Sequence, residues 1–138
     1  MPEIYNTIYK KLEAILGDLT ALPEYLKLSS GSYMDLNMDR LYHKDVGLSI
    51  AIALSHYYKQ NGDMIADPDM EIRIYNDMKM AEALSYQDTY GYRQVYHGGG
   101  INVRAKLELN KFLRQWLTNL QAQGFKNDKH ETGGLFNG

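Results

Sequence analysis

The feature that most constrains the fold is the alternation of residue types in the middle of the chain. Met70, Ile72 and Ile74 alternate with Glu71 and Arg73. A period of two is typical of a β-strand with one buried face and one solvated face. A strand of this kind needs neighbouring strands and a second layer that covers its apolar side. The centre of the chain is therefore predicted to be a sheet.

The same alternation predicts further strands on both sides of this segment. A short strand over 25–29 and a second over 33–39 are separated by a glycine-containing turn, as in a β-hairpin. Two more strands are predicted over 78–86 and 93–97. The connections are too short for parallel crossovers, so we expect an antiparallel meander of about six strands.

Residues 46–58 admit two interpretations. Bulky residues such as Val46 and Leu48 share one parity and small residues share the other, which favours a strand. A helix that starts at an Asp45 cap and ends at Asn61-Gly62 is the alternative. The choice matters because a strand here leaves one sheet face open, whereas a helix would remove that surface.

Each end of the chain has the periodicity of an amphipathic helix. Near the N-terminus the apolar residues recur every three or four positions, and Gly17 is suited to end the helix. Near the C-terminus Asn102 is suited to cap a long helix that Gly124 ends. The fold class is therefore α+β, with an N-terminal and a long C-terminal helix packed on one face of the sheet. We expect one domain over 1–126 and a flexible C-terminal tail over 127–138.

Composition excludes several classes of protein. The chain contains no Cys, which excludes a disulfide scaffold or a zinc finger and fits a reducing, cytoplasmic compartment. Its apolar runs are too short to cross a membrane. Residues 60–90 contain seven acids and two bases, whereas residues 91–126 contain six bases and one acid. Since the net charge is only −2, nucleic acid is not expected as a partner.

One cluster of residue types has the chemistry of a metal site. His56, Asp63, Asp67, Asp69 and Glu71 place one imidazole and four carboxylates within sixteen residues. Carboxylate oxygens are the ligands that hard cations such as Mg²⁺ and Mn²⁺ prefer. The alternatives are a solvated acidic loop that begins at Asn61 and a histidine that is hydrogen-bonded in the core. No cofactor-binding motif is present, so no cofactor is expected.

A second candidate is an anion site at a helix start. Gly99 and Gly100 precede the predicted C-terminal helix, and Arg104 and Lys106 lie in its first turns. Backbone N–H groups at a helix start attract anions, and the two cations would add charge. The glycines match no phosphate-binding motif, and the acidic block at 60–90 is an internal alternative to an external anion.

The abundance of tyrosine indicates a third kind of site. The chain has 12 Tyr, many of them in the strand-rich half. Tyrosine is enriched at protein interfaces because it joins an apolar ring to a hydrogen-bonding tip, although it is also a good strand residue. Tyr33, Arg73 and Tyr75 are placed on the sheet face that the helices leave uncovered, and with Tyr86 they are the predicted interface residues. The predicted partner is a second copy of the chain in a homodimer, with another protein as a further possibility.

The stretch from Ser49 to Tyr75 resembles a known family. It contains H-Y-x-x-Q-N-G-D followed by D-P-x-M, and the later string from Met80 to Asp88 is similar as well. Both strings are similar to those of DUF6908, an uncharacterised family of bacterial and mobile-element proteins. The resemblance implies a small α+β domain and carries over no catalytic residue.

The sequence contains no recognisable nucleophile with catalytic partners. We therefore predict a non-enzymatic domain that acts through protein contacts and self-association. The alternative function is a metal-dependent hydrolase or nuclease that uses the five candidate metal ligands.

Overall fold

The regular elements of the described part of the chain are two α-helices, eight strands and one short 3-10 helix, Tyr42–Lys44. The computed structural model describes residues 2–127, and at residues 2, 58–60 and 64–66 it describes the backbone alone. The helices are α1 (Pro2–Leu16) and α2 (Val103–Ala122). The strands are β1 (Tyr25–Leu28), β2 (Leu36–Arg40), β3 (Ile50–Gln60), β4 (Asp63–Tyr75), β5 (Met80–Asp88), β6 (Gly91–Gln94), β7 (Tyr96–His97) and β8 (Gly100–Ile101).

Six strands form one antiparallel sheet in sequence order, from β1 at one edge to β6 at the other. The predicted α+β class and antiparallel meander are thus confirmed. Strands β7 and β8 pair with each other in a separate short hairpin that leads into α2. Every connection within the large sheet is short, which is why consecutive strands pair with each other.

The two longest strands, β3 and β4, form a hairpin that Asn61 and Gly62 close. Both residues have a positive φ, 55° and 87°, which a tight two-residue hairpin turn requires. The strand interpretation of 46–58 is confirmed from Ile50 onward, and its helical alternative was wrong. Val46 and Ser49 form an isolated bridge across a turn before the strand begins.

The loop predicted after Asn61 was wrong, because this segment is part of β4. The strand begins at Asp63 and continues through Pro68, although proline commonly interrupts strands. The register between β3 and β4 shifts between Ser55 and Tyr57, which places Pro68 at a bulge. The missing N–H of a proline is tolerated at a bulge because the ladder is already interrupted there.

Both helices cover the same face of the sheet, as predicted. Ile8 and Leu12 of α1 and Leu113 and Leu117 of α2 are buried in one core with strand residues such as Ile72. Burying each such side chain contributes roughly 1.5–3 kcal/mol to stability. Within residues 2–127 no helix combines the length and the apolarity that a bilayer crossing requires.

The helix ends follow local signals in the sequence. Gly17 ends α1 with a φ of 88°, and Asn102 caps α2 by accepting a hydrogen bond from the Ala105 N–H at 3.0 Å. Of the tail predicted over 127–138, only Asn127 lies within the described residues, and its N–H donates to the carbonyl of Ile15 at 2.7 Å. The prediction of flexibility therefore concerns residues that lie outside the described part of the chain.

A buried side chain of α2 repairs an irregularity in the sheet. The register between β4 and β5 shifts between Glu71 and Ile72, so Leu84 is an extra residue on β5. The neighbouring Ala83 N–H donates to Oδ1 of Asn110 at 2.8 Å. Asn110 is 2% exposed, and its amide nitrogen donates to the carbonyl of Lys106 at 2.7 Å. Helix and sheet are thus joined by a buried amide whose oxygen and nitrogen each form a hydrogen bond.

Candidate functional site

The sheet face opposite the helices, called the open face below, carries polar and aromatic side chains. Asp69, Glu71 and Arg73 of β4 lie on this face because the alternating Met70 and Ile72 point into the core. Antiparallel pairing aligns further open-face residues with Glu71. The row that crosses the sheet at this level is Asp39, Ala53, Glu71, Ser85 and Gln94.

A cleft of about 450 Å³ lies on the open face over the β4–β6 side of the sheet. Its walls contain two cations, two carboxylates and three tyrosines. The lining residues are Lys44, Glu71, Arg73, Tyr75, Glu82, Leu84, Ser85, Tyr92, Gln94 and Tyr96. Aromatic rings with hydrogen-bonding tips among paired charges are typical of protein-binding surfaces.

Arg73 is the cation of this cleft that forms no ion pair among the described residues. Its guanidinium donates to Ser49 Oγ at 3.0 Å and to the carbonyl of Lys44 at 3.1 Å. Among residues 2–127 no carboxylate lies within ion-pair distance of it. By contrast, the ammonium of Lys44 is paired with Glu71. Two neutral acceptors therefore hold Arg73 in place, and its cross-strand neighbour Glu82 on β5 forms no ion pair with it.

Asp39 and Asp69 are carboxylates of the open face that also lack a cation. Both are half-buried, and neither forms an ion pair within the described residues. Asp69 accepts one long hydrogen bond, 3.4 Å, from the Tyr57 hydroxyl. Burial raises the pKa of both carboxyls, and repulsion from Glu71 raises the pKa of Asp69 further.

Replacing Asp69 with asparagine should therefore stabilise the isolated fold. The folded chain holds the Asp69 proton more tightly than the unfolded chain. This group thus favours folding at low pH, and its contribution is lost as the pH rises through the raised folded-state pKa. We expect Asp69→Asn to raise the free energy of unfolding at neutral pH by on the order of 0.5–1 kcal/mol. Urea titration at submicromolar protein, followed by Trp116 fluorescence, measures it; an unchanged or lower value at pH 7 would contradict this account.

Glu82 is the centre of a hydrogen-bond network at one end of the cleft. This carboxylate is 8% exposed and accepts from the hydroxyls of Tyr75 at 2.7 Å and Tyr96 at 2.5 Å. The ammonium of Lys106 lies 3.4 Å from Glu82 and 2.7 Å from the Tyr96 oxygen. Burial, followed by the bond to Glu82, raises the pKa of both tyrosines. Both hydroxyls thus donate to one carboxylate that the sheet and α2 hold between them.

A family model matches residues 3–126, nearly the whole described chain. Its description is domain of unknown function DUF6908. The chain belongs to the DUF6908 family. The comparison with curated proteins and the comparison with solved structures found no match. The open face of this DUF6908 domain must therefore be interpreted from its own geometry.

The structure of this DUF6908 domain does not bring the five predicted metal ligands together. His56 lies on the core side of β3, with its ring 5.8 Å from Trp116 and 5.9 Å from Phe125. Its Nδ1 is 2.9 Å from the carbonyl of Asp35. In contrast, Asp69 and Glu71 lie on the open face, and Asp63 and Asp67 are exposed. Among the residues that the structure describes, no group of three or more His, Asp or Glu is arranged to hold a metal ion.

The residues of the predicted anion site have separate roles. Gly98 and Gly99 form the turn between β7 and β8, with φ of 56° and 78°, and Gly100 begins β8. Lys106 turns towards Glu82, whereas Arg104 is exposed. Asn102 already satisfies a free N–H group at the start of α2. Lys106 is thus paired with Glu82 of the acidic block at 60–90, which is the internal alternative to an external anion.

The predicted interface residues divide between two faces. Arg73 and Tyr75 line the open-face cleft, as expected. Tyr33 precedes β2, and its ring lies 6.4 Å from Phe125, so placing it on the open face was wrong. Tyr86 packs edge-to-face on Phe112 at 5.2 Å, on the helix side, and its hydroxyl donates to Asp88. Burial, followed by that hydrogen bond, raises the pKa of Tyr86 to about 12.

Sequence reasoning missed several residues of the open face. In β2, Asn37 and Asp39 alternate with the buried Leu36 and Met38, so the sequence pattern already indicated that Asp39 lies on the open face. Glu82 gave no such signal, because its partners Tyr75, Tyr96 and Lys106 are brought together by the sheet and by α2. Lys44 is likewise positioned by a short 3-10 turn, Tyr42–Lys44, that no periodic pattern indicates.

Proposed function

We propose that this DUF6908 domain is a non-enzymatic protein-binding domain that forms a homodimer through its open face in the cytoplasm. The observation that carries the proposal is the arrangement of unpaired charges on β4. Asp69 and Arg73 lie two residues on either side of Glu71, on the same face. Each is half-buried and forms no ion pair within the described residues. Unpaired charges of opposite sign on one face make that face self-complementary.

A two-fold axis between two facing sheets satisfies both charges at once. If the axis runs across the strands above Glu71, β4 of one copy lies antiparallel over β4 of the other. Asp69 and Arg73 are separated by about 13 Å along the strand, so this rotation exchanges their positions. Facing sheets pack about 10 Å apart, a distance that long side chains span. Each Glu71 near the axis keeps its own Lys44 as a partner.

An exposed apolar ledge beside the cleft would add buried area to such an interface. Val46 is 66% exposed, Leu48 is 79% exposed and Met78 is 52% exposed. These three side chains line a groove of about 430 Å³ together with Arg73 and Tyr75 of the open face. Apolar side chains at the rim of a charged surface supply the hydrophobic part of an association free energy.

A charge exchange tests the proposed dimer. We expect Asp69→Arg and Arg73→Asp each to weaken dimerisation by about 100-fold or more, because each variant juxtaposes like charges. The double variant restores complementary pairs and should recover dimerisation to within about tenfold of the parent chain. Multi-angle light scattering and sedimentation velocity measure the dimer, and thermal unfolding confirms that each variant folds.

Asp39→Asn is the matched control for Asp69→Asn. Both carboxylates are half-buried on the open face, but Asp39 lies in the row of Glu71 and would face its own copy across the axis. Asp69→Asn should weaken dimerisation by at least about tenfold, whereas Asp39→Asn should leave it unchanged or strengthen it. A strict monomer at micromolar concentration, or equal effects of the two substitutions, would refute the proposed dimer.

A further inference from the structure

The outer edge of β1 is a strand edge without a partner among residues 2–127. β1 is the first strand of the sheet and pairs with β2 alone. The N–H of Arg40 donates to the carbonyl of Glu24 at 2.9 Å, which identifies the bonded pairs of this antiparallel ladder. In such a ladder every second residue directs its backbone N–H and C=O groups at the neighbouring strand. Since Glu24 does so, Leu26 and Leu28 also bond to β2. The backbone N–H and C=O groups of Tyr25 and Lys27 therefore point away from the sheet.

A groove of about 450 Å³ runs along this edge. The strand forms one wall and the segment after α2 forms the other. The lining residues are Tyr25, Leu26, Lys27, Leu28, Ser29, Lys126 and Asn127. Two of them are lysines and none is acidic.

The positive charge of the groove is largely available to a ligand. Lys27 is paired with Asp35 at 3.4 Å, but the side chains are 58% and 38% exposed, so the pair is weak. Lys126 is exposed and forms no ion pair with any described residue. Glu24, also exposed, immediately precedes the strand, outside the groove lining.

We propose that the β1 edge binds an extended acidic segment of a partner protein by strand addition. The four outward backbone groups of Tyr25 and Lys27 would pair with the segment, and Lys27 and Lys126 would attract its carboxylates. A second copy of β1 is a poorer occupant, because antiparallel pairing of two such short edges brings two Lys27 side chains close together. The backbone groups of this site lie at the β1 edge, and the proposal does not rest on the dimer proposed above, although the side chains of Tyr25 and Lys27 are on the open face.

A synthetic peptide tests the proposal on the full chain. The probe is a fluorescein-labelled ten-residue peptide of alternating valine and glutamate, measured by fluorescence anisotropy at low salt. A peptide of alternating valine and lysine tests the charge requirement. A third peptide, N-methylated on its glutamates, keeps the charge but loses the N–H groups that pair with the edge, because antiparallel residues that bond to Tyr25 and Lys27 share their sheet face. We expect the lysine peptide and the N-methylated peptide each to bind at least about tenfold more weakly, since each loses two or more interactions.

Two substitutions test the site on the domain itself. Tyr25→Pro removes an outward N–H that the sheet does not use, and proline is tolerated at such edge positions. Lys126→Glu reverses the unpaired charge, and Lys111→Glu on the exposed side of α2 is its matched control. Tyr25→Pro and Lys126→Glu should each lower the peptide affinity at least about fivefold while Lys111→Glu changes it less than about twofold.

Three results would each overturn strand addition at the β1 edge. They are no binding of the acidic peptide, equal binding of the N-methylated peptide, and equal effects of Lys126→Glu and Lys111→Glu. Binding that persists in Asp69→Arg, whatever its oligomeric state, would show that the edge acts independently of the open face. Thermal unfolding first shows whether Tyr25→Pro is folded. If it is folded, its peptide affinity tests the need for the Tyr25 N–H; if it is not, the N-methylated peptide tests the need for backbone hydrogen bonds.

Discussion

Asn110→Ala is expected to lower the free energy of unfolding by about 2–3 kcal/mol. The substitution removes the acceptor of the Ala83 N–H at a position where the sheet offers no other. Asn110 is 2% exposed, so water cannot easily replace the lost acceptor. The loss is that of a buried, unsatisfied backbone donor with a small cavity added.

Urea or guanidinium titration followed by Trp116 fluorescence measures this loss. Asn119→Ala on the same helix is the matched control, because Asn119 is exposed and its side chain accepts a hydrogen bond from Gln115 on the surface. Its effect should stay within about 0.5 kcal/mol. If the two alanine variants unfold at the same denaturant concentration, Asn110 does not have the bulge-satisfying role assigned to it.

Glu82→Ala is expected to have an effect of similar size, about 2–4 kcal/mol. It leaves the ammonium of Lys106 and the hydroxyls of Tyr75 and Tyr96 without their shared acceptor. Because these residues come from β4, β7 and α2, losing the carboxylate also loosens the junction between the sheet and the helix layer. Glu82→Gln retains one acceptor oxygen and should recover part of the loss.

Glu108→Ala provides the comparison for Glu82. Glu108 pairs with Arg93 at 2.8 Å, but both side chains are about half exposed, 51% and 43%. Solvent screens such a pair, so its removal should cost less than about 1 kcal/mol. Equal thermal shifts for Glu82→Ala and Glu108→Ala would mean that the Glu82 network contributes no more than a surface ion pair.

The two proposals assign different partners to different surfaces of one domain. The open face presents fixed, half-buried charges that a second copy can complement, whereas the β1 edge presents backbone groups and lysines. Stability variants such as Asn110→Ala alter neither surface directly, because Asn110 lies in the helix layer on the other side of the sheet. Binding defects can therefore be separated from folding defects with the substitutions described above.

The amino-acid sequence by itself determined the type and order of the two helices and of the strands from β1 to β5, whereas the strand predicted over 93–97 is divided between β6 and β7. Alternation in β2, β4 and β5, the helical periods of α1 and α2, the Asn102 cap and the Gly17 end are local signals, and local chemistry sets them. Asn61-Gly62 was also recognisable as a turn. The strand around Pro68 was mistaken for a loop because proline and aspartate are rare in strands, and only pairing with β3 at a bulge stabilises it there.

Only the tertiary structure decided which chemical groups meet. His56 and Asp69 were both candidate metal ligands, and they lie on strands that pair with each other. Alternation and the register shift in β3–β4 nevertheless put them on opposite faces of the sheet. Glu82, Tyr96 and Lys106 meet because α2 folds back over β5, and among residues 2–127 Lys44, not Arg73, forms the ion pair with Glu71. These arrangements depend on the register and the packing of distant segments, which residue spacing along the chain does not encode.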